Sequence, residues 1–168
     1  MVILGIDPGT ATTGYGVIVD DEAGNLVAIA YGCVKTESGG KPEIRLLEIY
    51  RRLTEIVQKY RPGTMSVEQI FFNRNVTNAL SVGQARGIAL LVAAEAGIPV
   101  FEFTPLQVKQ TVAGYGRADK QQIQQMVRTL LGLEENPKPD DVADALAVAI
   151  CCAHARTHKR LLAKEDER

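Results

Sequence analysis

Apolar residues cluster in short runs over the first 35 positions and then recur at helical spacing. Residues 2–7, about 14–20 and about 26–35 are rich in Val, Ile and Tyr, and short turns separate them. These three runs predict an antiparallel meander of three strands. From residue 44 to residue 60, apolar side chains recur every three or four positions with charged residues between them, which predicts a helix.

Strands and helices alternate over the rest of the chain. Apolar runs at 65–68 and 98–103 predict two more strands, and helices are predicted over 77–96, 105–114, 119–131 and about 140–155. Thr104 and Asp119 are typical N-cap residues, and Gln122 could complete a capping box with Asp119. The order βββαβαβααα predicts an α/β fold with one mixed five-stranded sheet and helices on both faces. The first and fourth strands should be neighbours in that sheet.

Length, composition and charge fit one folded protein. The 168 residues are 46% apolar and 23% charged, as in globular domains. We expect a single domain over residues 1–157, followed by a polar, disordered tail over 158–168. The net charge of −1 gives no overall attraction to nucleic acid, but residues 104–133 carry four cations and one acid. Such a local basic patch could still contact phosphates.

Cysteine usage and the absence of long apolar stretches indicate a cytoplasmic protein with no membrane partner. Three cysteines are an odd number, and they have no C-x-x-C spacing, so free buried thiols in a reducing cytosol are expected. The chain opens directly on a strand-like run, without the pattern of a signal peptide. Its most apolar stretch, 142–155, is too short to span a bilayer.

Four carboxylates lie where predicted elements begin or end. Asp7 ends the first strand and Glu68 the fourth, while Asp141 and Asp144 share one face of the last, largely apolar helix. Taken singly, each has an ordinary explanation: a turn, a solvated strand end, or the start of a helix, for which Asp140 is the expected cap.

Asp144 does not fit those explanations, because it lies a full turn inside the apolar run and no cation lies within one helical turn of it. An unpaired buried carboxylate is costly, and divalent cations are a common compensation. The four acids therefore predict a metal-dependent phosphoryl-transfer or hydrolysis enzyme.

Other residues have two possible roles. Lys109 and Lys120 could be solvated helix lysines, or they could contact phosphate and stabilise charge in a transition state. The segment 71–75 follows Glu68 directly and contains Phe71, Arg74 and Asn75. An exposed aromatic there could stack on an unpaired base while Arg74 holds phosphate, or it could fold back into the core. The small and apolar residues of 79–92 could pack in the core or against a symmetry mate.

Several motifs in their order along the chain identify a family. From about residue 3 to residue 153 the chain resembles the RuvC family of Holliday-junction resolvases. The similarity is carried by Gly5-Ile6-Asp7-Pro8-Gly9-Thr10, Gly14-Tyr15-Gly16-Val17, Val67-Glu68-Gln69, Gly83-Gln84-Ala85-Arg86-Gly87, Gln107-Val108-Lys109-Gln110-Thr111-Val112, Met126-Val127-Arg128 and Ala143-Asp144-Ala145-Leu146-Ala147.

This resemblance implies a ribonuclease-H-like fold, a homodimer and Mg²⁺- or Mn²⁺-dependent nicking of two opposed strands at a four-way DNA junction during recombination and repair. It also implies a branch-migration motor as partner. The family's acidic positions fall on Asp7, Glu68, Asp141 and Asp144, its active-site lysines on Lys109 and Lys120, and its junction-probing aromatic on Phe71. One feature departs from the family, which usually has a single acid where Asp140 and Asp141 both stand. Spacing selects Asp141, and Asp140 could contribute from outside the metal's direct ligands.

The mechanistic hypothesis is a pair of metal ions per subunit, bridged by Asp7 and flanked by the other three acids, with Lys120 neutralising charge in the transition state. The products would carry 5′-phosphate and 3′-hydroxyl ends. Of three alternative functions, the length of the chain excludes one. The chain is too short for an actin-like ATPase, whose first strand also ends in an Asp-x-Gly-Thr turn. A related nuclease that processes structured RNA and a non-catalytic junction-binding module stay open.

Overall fold

The computed structural model describes residues 1–21, 23–69 and 76–166, with side chains over 1–21, 23–69 and 79–157. The predicted order of elements is confirmed. Within these residues the elements are β1 (Val2–Asp7), β2 (Thr12–Asp20), β3 (Leu26–Lys35), α1 (Pro42–Tyr60), β4 (Thr64–Glu68), α2 (Val76–Glu95), β5 (Val100–Phe103), α3 (Pro105–Ala113), α4 (Lys120–Leu131) and α5 (Asp140–Asp166).

The described strands form one mixed sheet in the order β3-β2-β1-β4-β5. Strands β1, β2 and β3 pair antiparallel, whereas β1 with β4 and β4 with β5 are parallel. Ile6 is the register partner of Val67, so Asp7 and Glu68 are the next residues on adjacent parallel strands. The predicted neighbourhood of the first and fourth strands is therefore confirmed.

Helices cover both faces of the sheet, as the sequence predicts. Because side chains alternate along a strand, each strand supplies two cores. Ile3, Ile18 and Phe103 pack against α3, α4 and α5 on one face. Leu4, Ile6 and Met65 pack against α1 and α2 on the other.

Local capping fixes where the two helices before α5 begin. The Asp119 carboxylate accepts a hydrogen bond from the backbone N–H of Gln122 at 2.9 Å. In return, the side-chain oxygen of Gln122 accepts one from the backbone N–H of Asp119 at 2.9 Å. This confirms the predicted capping box. Thr104 forms a second capping box with Gln107.

The last helix is longer than predicted. An end near Ala155 is wrong, because α5 continues to Asp166. The added residues are mainly Arg, Leu, Ala, Lys and Glu, which favour helix even where no apolar pattern continues. The division into a domain over 1–157 and a tail over 158–168 stays a prediction. None of the described helices is both long and apolar enough to pass through a membrane.

Helix α5 packs unusually close to the sheet because glycines face it. A Cβ atom added to Gly5 would lie 2.1 Å from the Ala145 carbonyl oxygen, and one added to Gly14 would lie 2.0 Å from the Asp141 carbonyl oxygen. Real Cβ atoms do not approach backbone so closely. The helix can rest on β1 and β2 only because these positions lack a side chain.

Gly5→Ala should therefore destabilise the protein. Since a backbone carbonyl blocks the new methyl group, α5 must shift, and overpacking of this kind costs about 1–3 kcal/mol. Equilibrium unfolding in guanidinium chloride measures the change. Gly63→Ala is the matched control, because its added Cβ would have its nearest neighbour at 3.5 Å, an ordinary contact. Equal stability of the two variants would contradict the proposed close contact.

Candidate active site

Two carboxylates reach the site from the sheet. Asp7 ends β1 and Glu68 ends β4, one register position beyond the Ile6–Val67 pair. The side chain of Ile3 faces α5. Asp7 lies four residues later on the same strand, and because side chains alternate between the two faces of a strand, the Asp7 side chain also faces α5. Both side chains are partly buried.

Two further carboxylates come from the first turns of α5. Asp141 and Asp144 are partly buried, and the two residues between them, Val142 and Ala143, are buried. The backbone of Asp141 lies directly over Gly14, which is the register partner of Asp7 on β2. The close contact between helix and sheet thus brings Asp141 and Asp144 to the ends of the central strands.

The pKa values of these groups depend on one another's charges. Burial raises the pKa of Asp7 to about 7, and the negative charges of Asp144, Asp141 and Glu68 add to this rise. Burial, followed by the charge of Asp144, raises the pKa of Glu68 to about 7. The pKa of Asp144 is also raised, chiefly by burial. The fold therefore brings together the four acids that the sequence singled out.

The chemistry of this donor set fits a hard divalent cation, which prefers carboxylate oxygens. A cation would relieve both the burial and the mutual repulsion that raise these pKa values. The spacing of these side chains is wider than in a formed metal site, however. Across the described side chains, no three histidine, cysteine, aspartate or glutamate groups are clustered tightly enough to hold a metal ion.

Two lysines act on the acids through their charge. The positive charge of Lys109 on α3 offsets part of the rise in the pKa values of Glu68 and Asp144 that burial causes. Lys120, the first residue of α4, does the same for Asp7 and Asp144. The Lys120 Nζ atom lies 3.2 Å from Asp140 Oδ2, and this hydrogen bond raises the pKa of Lys120.

Asp140 does not have the predicted role. Instead of capping α5, it is the first residue of the helix, and its carboxylate faces α4. Asp140 Oδ1 accepts a hydrogen bond from Gln124 Nε2 at 2.8 Å, while Oδ2 pairs with Lys120. The sequence does not single out Gln124, because a glutamine on an amphipathic helix carries no signal of its partner. A cleft of about 700 Å³ lies beside this contact, lined by Gln124, Lys138, Pro139, Asp140 and Asp141.

The loop after Asp7 is held by hydroxyl groups. Thr13, which is fully buried, donates from Oγ1 to the Gly9 carbonyl at 2.7 Å. Thr36 donates to the Thr10 carbonyl at 2.6 Å, and the Thr10 hydroxyl is hydrogen-bonded to that of Ser81 on α2. These contacts tie the end of β1 to α2. The predicted DNA-binding residues Phe71, Arg74 and Asn75 lie outside the described residues.

Comparison with known proteins gives one consistent family. The family model described as Crossover junction endodeoxyribonuclease RuvC matches residues 3–152. The protein of that name from Heliobacterium modesticaldum is 62% identical over 157 residues, covering 94% of this chain and 96% of that protein. The one from Pelotomaculum thermopropionicum is 57% identical over 163 residues, covering 96% and 98%.

A solved structure agrees with these sequences. Thermus thermophilus RuvC in complex with Holliday junction substrate superimposes with a TM-score of 0.88 at 40% identity, covering 94% of this chain and 96% of that chain. The match confirms the predicted ribonuclease-H-like architecture.

The metal-free protein should lose stability as pH rises from 5 to 8. Asp7 and Glu68 have pKa values of about 7 when folded, against ordinary values of 3.8 and 4.5. Between these limits the folded state binds more protons than the unfolded state, so raising the pH favours unfolding. We expect a loss of at least about 1 kcal/mol, the equivalent of one pKa unit.

Denaturant unfolding in chelator-containing buffer at several pH values measures this loss. The Asp7→Asn variant is the control, and its stability should depend less on pH because residue 7 no longer ionises. A wild-type stability that rises over the same range would show that the acids are not gathered as described.

Proposed function

The chain belongs to the RuvC family of crossover junction endodeoxyribonucleases, and we propose that it resolves four-way DNA junctions during recombination and repair by nicking two opposed strands. The resemblance seen in the sequence motifs is confirmed by the family match and by relatives that span nearly the whole chain. A cytoplasmic location fits this role in DNA metabolism.

The observation that carries the proposal is the approach of Asp141 and Asp144, at the start of α5, to Asp7 and Glu68, at the ends of β1 and β4. Two of these acids have pKa values of about 7, so they are poised to exchange protons for a cation near neutral pH. We propose that the four acids hold Mg²⁺ or Mn²⁺, with two ions per subunit. Such ions, when bound, polarise phosphoryl oxygens and lower the pKa of water.

The other residues act on the DNA. The ammonium groups of Lys109 and Lys120 border the acids, where they can contact the scissile phosphate and offset the charge that grows on its oxygens. In this proposal Phe71 stacks on an unpaired base at the junction, and Arg74 and Asn75 contact the backbone. Cleavage leaves 5′-phosphate and 3′-hydroxyl ends, which can be ligated.

Nicking of two strands requires two sites, and helix α2 offers the surface for a homodimer. Leu80 and Leu91 are 66% and 48% exposed. Gly83 and Gly87 lie between them on the same helical face, and a Cβ added to either would meet no described atom within 4 Å. This stripe lets a second α2 approach closely. A branch-migration motor as partner rests on the family resemblance alone.

Asp7→Asn should keep junction binding and lose cleavage by about 100-fold or more, as expected when a group that stabilises the transition state is removed. A synthetic four-way junction with Mg²⁺ or Mn²⁺ is the substrate, and linear duplex is the control. Asp21→Asn, in the exposed β2–β3 turn, is the matched variant and should cleave normally. Full cleavage by Asp7→Asn would refute the assignment of this residue.

The same assay separates the alternative functions. Wild-type cleavage of structured RNA in place of the junction would favour an RNA-processing nuclease. Junction binding by the wild type without cleavage in either metal would favour a non-catalytic binding module.

Leu91→Glu should convert the dimer to a monomer, because a charge would be buried in the proposed α2 interface. Analytical ultracentrifugation measures the change, and paired nicking of a junction should be lost with the dimer. Val27→Glu is the control, since Val27 is 53% exposed on β3, at the opposite edge of the sheet from β5. Loss of the dimer in the control, or its persistence in Leu91→Glu, would contradict the assigned surface.

A further inference from the structure

The position of Lys120 is unusual for a lysine at the start of a helix. Lys120 is the first residue of α4, immediately after the cap Asp119. The positive end of the helix dipole lies there, so a cation at this position is unfavourable for the helix itself. The helix dipole therefore does not stabilise Lys120, and its ion-pair partner lies outside α4.

Asp140 supplies that partner in a defined geometry. Its Oδ2 atom lies 3.2 Å from Lys120 Nζ, and its Oδ1 accepts from Gln124 at 2.8 Å. Lys120 and Gln124 are one turn apart on the same face of α4. The carboxylate is thus fixed by two donors from successive turns, and Gln124 orients it toward the lysine.

Three other acids of the site, Asp7, Asp141 and Asp144, are called the inner acids here, and they compete with Asp140 for the Lys120 ammonium group. The charge of Lys120 acts on Asp7 and Asp144, so these carboxylates attract the lysine in return. A lysine side chain has a flexible four-carbon stem and could turn toward them if it were released. An ammonium among the inner acids would neutralise the charge that a divalent cation needs.

We propose that Asp140, oriented by Gln124, is a positioning residue that holds the Lys120 ammonium at the rim of the site and so keeps it from competing with the metal for Asp7 and Asp144. This inference rests on the proposed metal site. It assigns Asp140 a partner on α4 and not a place among the metal ligands.

The exposure of the pair agrees with a positioning role. The side chains of Lys120 and Asp140 are 74% and 54% exposed. Exposed ion pairs contribute little to folding, so stability does not account for this contact. For the same reason, Asp140→Asn should fold normally, which thermal unfolding can verify.

The test is Mn²⁺ binding to the metal-free protein without DNA. The electron paramagnetic resonance signal of the free ion measures how much Mn²⁺ is bound. Four proteins are compared: the wild type, Asp140→Asn, Lys120→Met and the double variant. Asp140→Asn should weaken binding about three- to ten-fold in the wild-type background, a range typical of coupled contacting residues. In the Lys120→Met background the same change should weaken binding by less than about two-fold, because no lysine remains to be released.

Two further variants sharpen the result. Gln124→Met, which removes the donor to Asp140 at similar size, should weaken binding in the same direction but less. Glu48 is exposed on α1, on the other face of the sheet, and Glu48→Gln removes one negative charge there. This variant should leave Mn²⁺ binding unchanged. An equal effect of Asp140→Asn in both backgrounds would overturn the inference, since the loss would then reflect overall charge alone. A wild type that does not bind Mn²⁺ would overturn the carboxylate site itself, and this inference with it.

Discussion

The contact between the backbone of α5 and strands β1 and β2 is the constraint on which the site depends. Gly5 and Gly14 leave room for carbonyl oxygens of the helix where a methyl group would collide with them. With any side chain at these positions the helix would stand farther from the sheet, and Asp141 and Asp144 would move away from Asp7. The glycines in the two N-terminal strands therefore act on the site through packing, although they carry no functional group.

This arrangement has an electrostatic cost, which the core must offset. Gathered acids repel one another, and burial adds to the penalty, as the raised pKa of Asp7 shows. The same helix that brings in two acids also buries Leu146 and Ile150 completely. Each such side chain contributes about 1.5–3 kcal/mol on burial, so the apolar part of α5 can hold its charged end in place.

The sequence predicts the features that arise from local patterns. Strand order placed Asp7 beside Glu68, and spacing placed Asp141 and Asp144 together, because periodicity and crossover rules fix both. Contacts between polar side chains from distant segments could not be predicted in this way. The pairing of Asp140 with Lys120 depends on how α4 packs against α5, and nothing in the residues around either position encodes it. The sequence does not predict where α5 ends, because helix propensity without an apolar stripe gives only a weak signal.

Adjacent acids at the start of α5 act differently because of their angular positions. Successive residues are 100° apart around a helix of 3.6 residues per turn, so Asp140 and Asp141 point in different directions, with Asp144 between them one turn later. The pKa values follow this order. Besides burial, the charges of Asp140 and Asp141 raise the pKa of Asp144. Besides burial, the charges of Asp144 and Asp141 raise the pKa of Asp7. Asp141 thus belongs with the inner carboxylates, and Asp140 directs its charge toward α4. An apolar residue in place of Asp140 would leave Lys120 with only the inner acids to attract it.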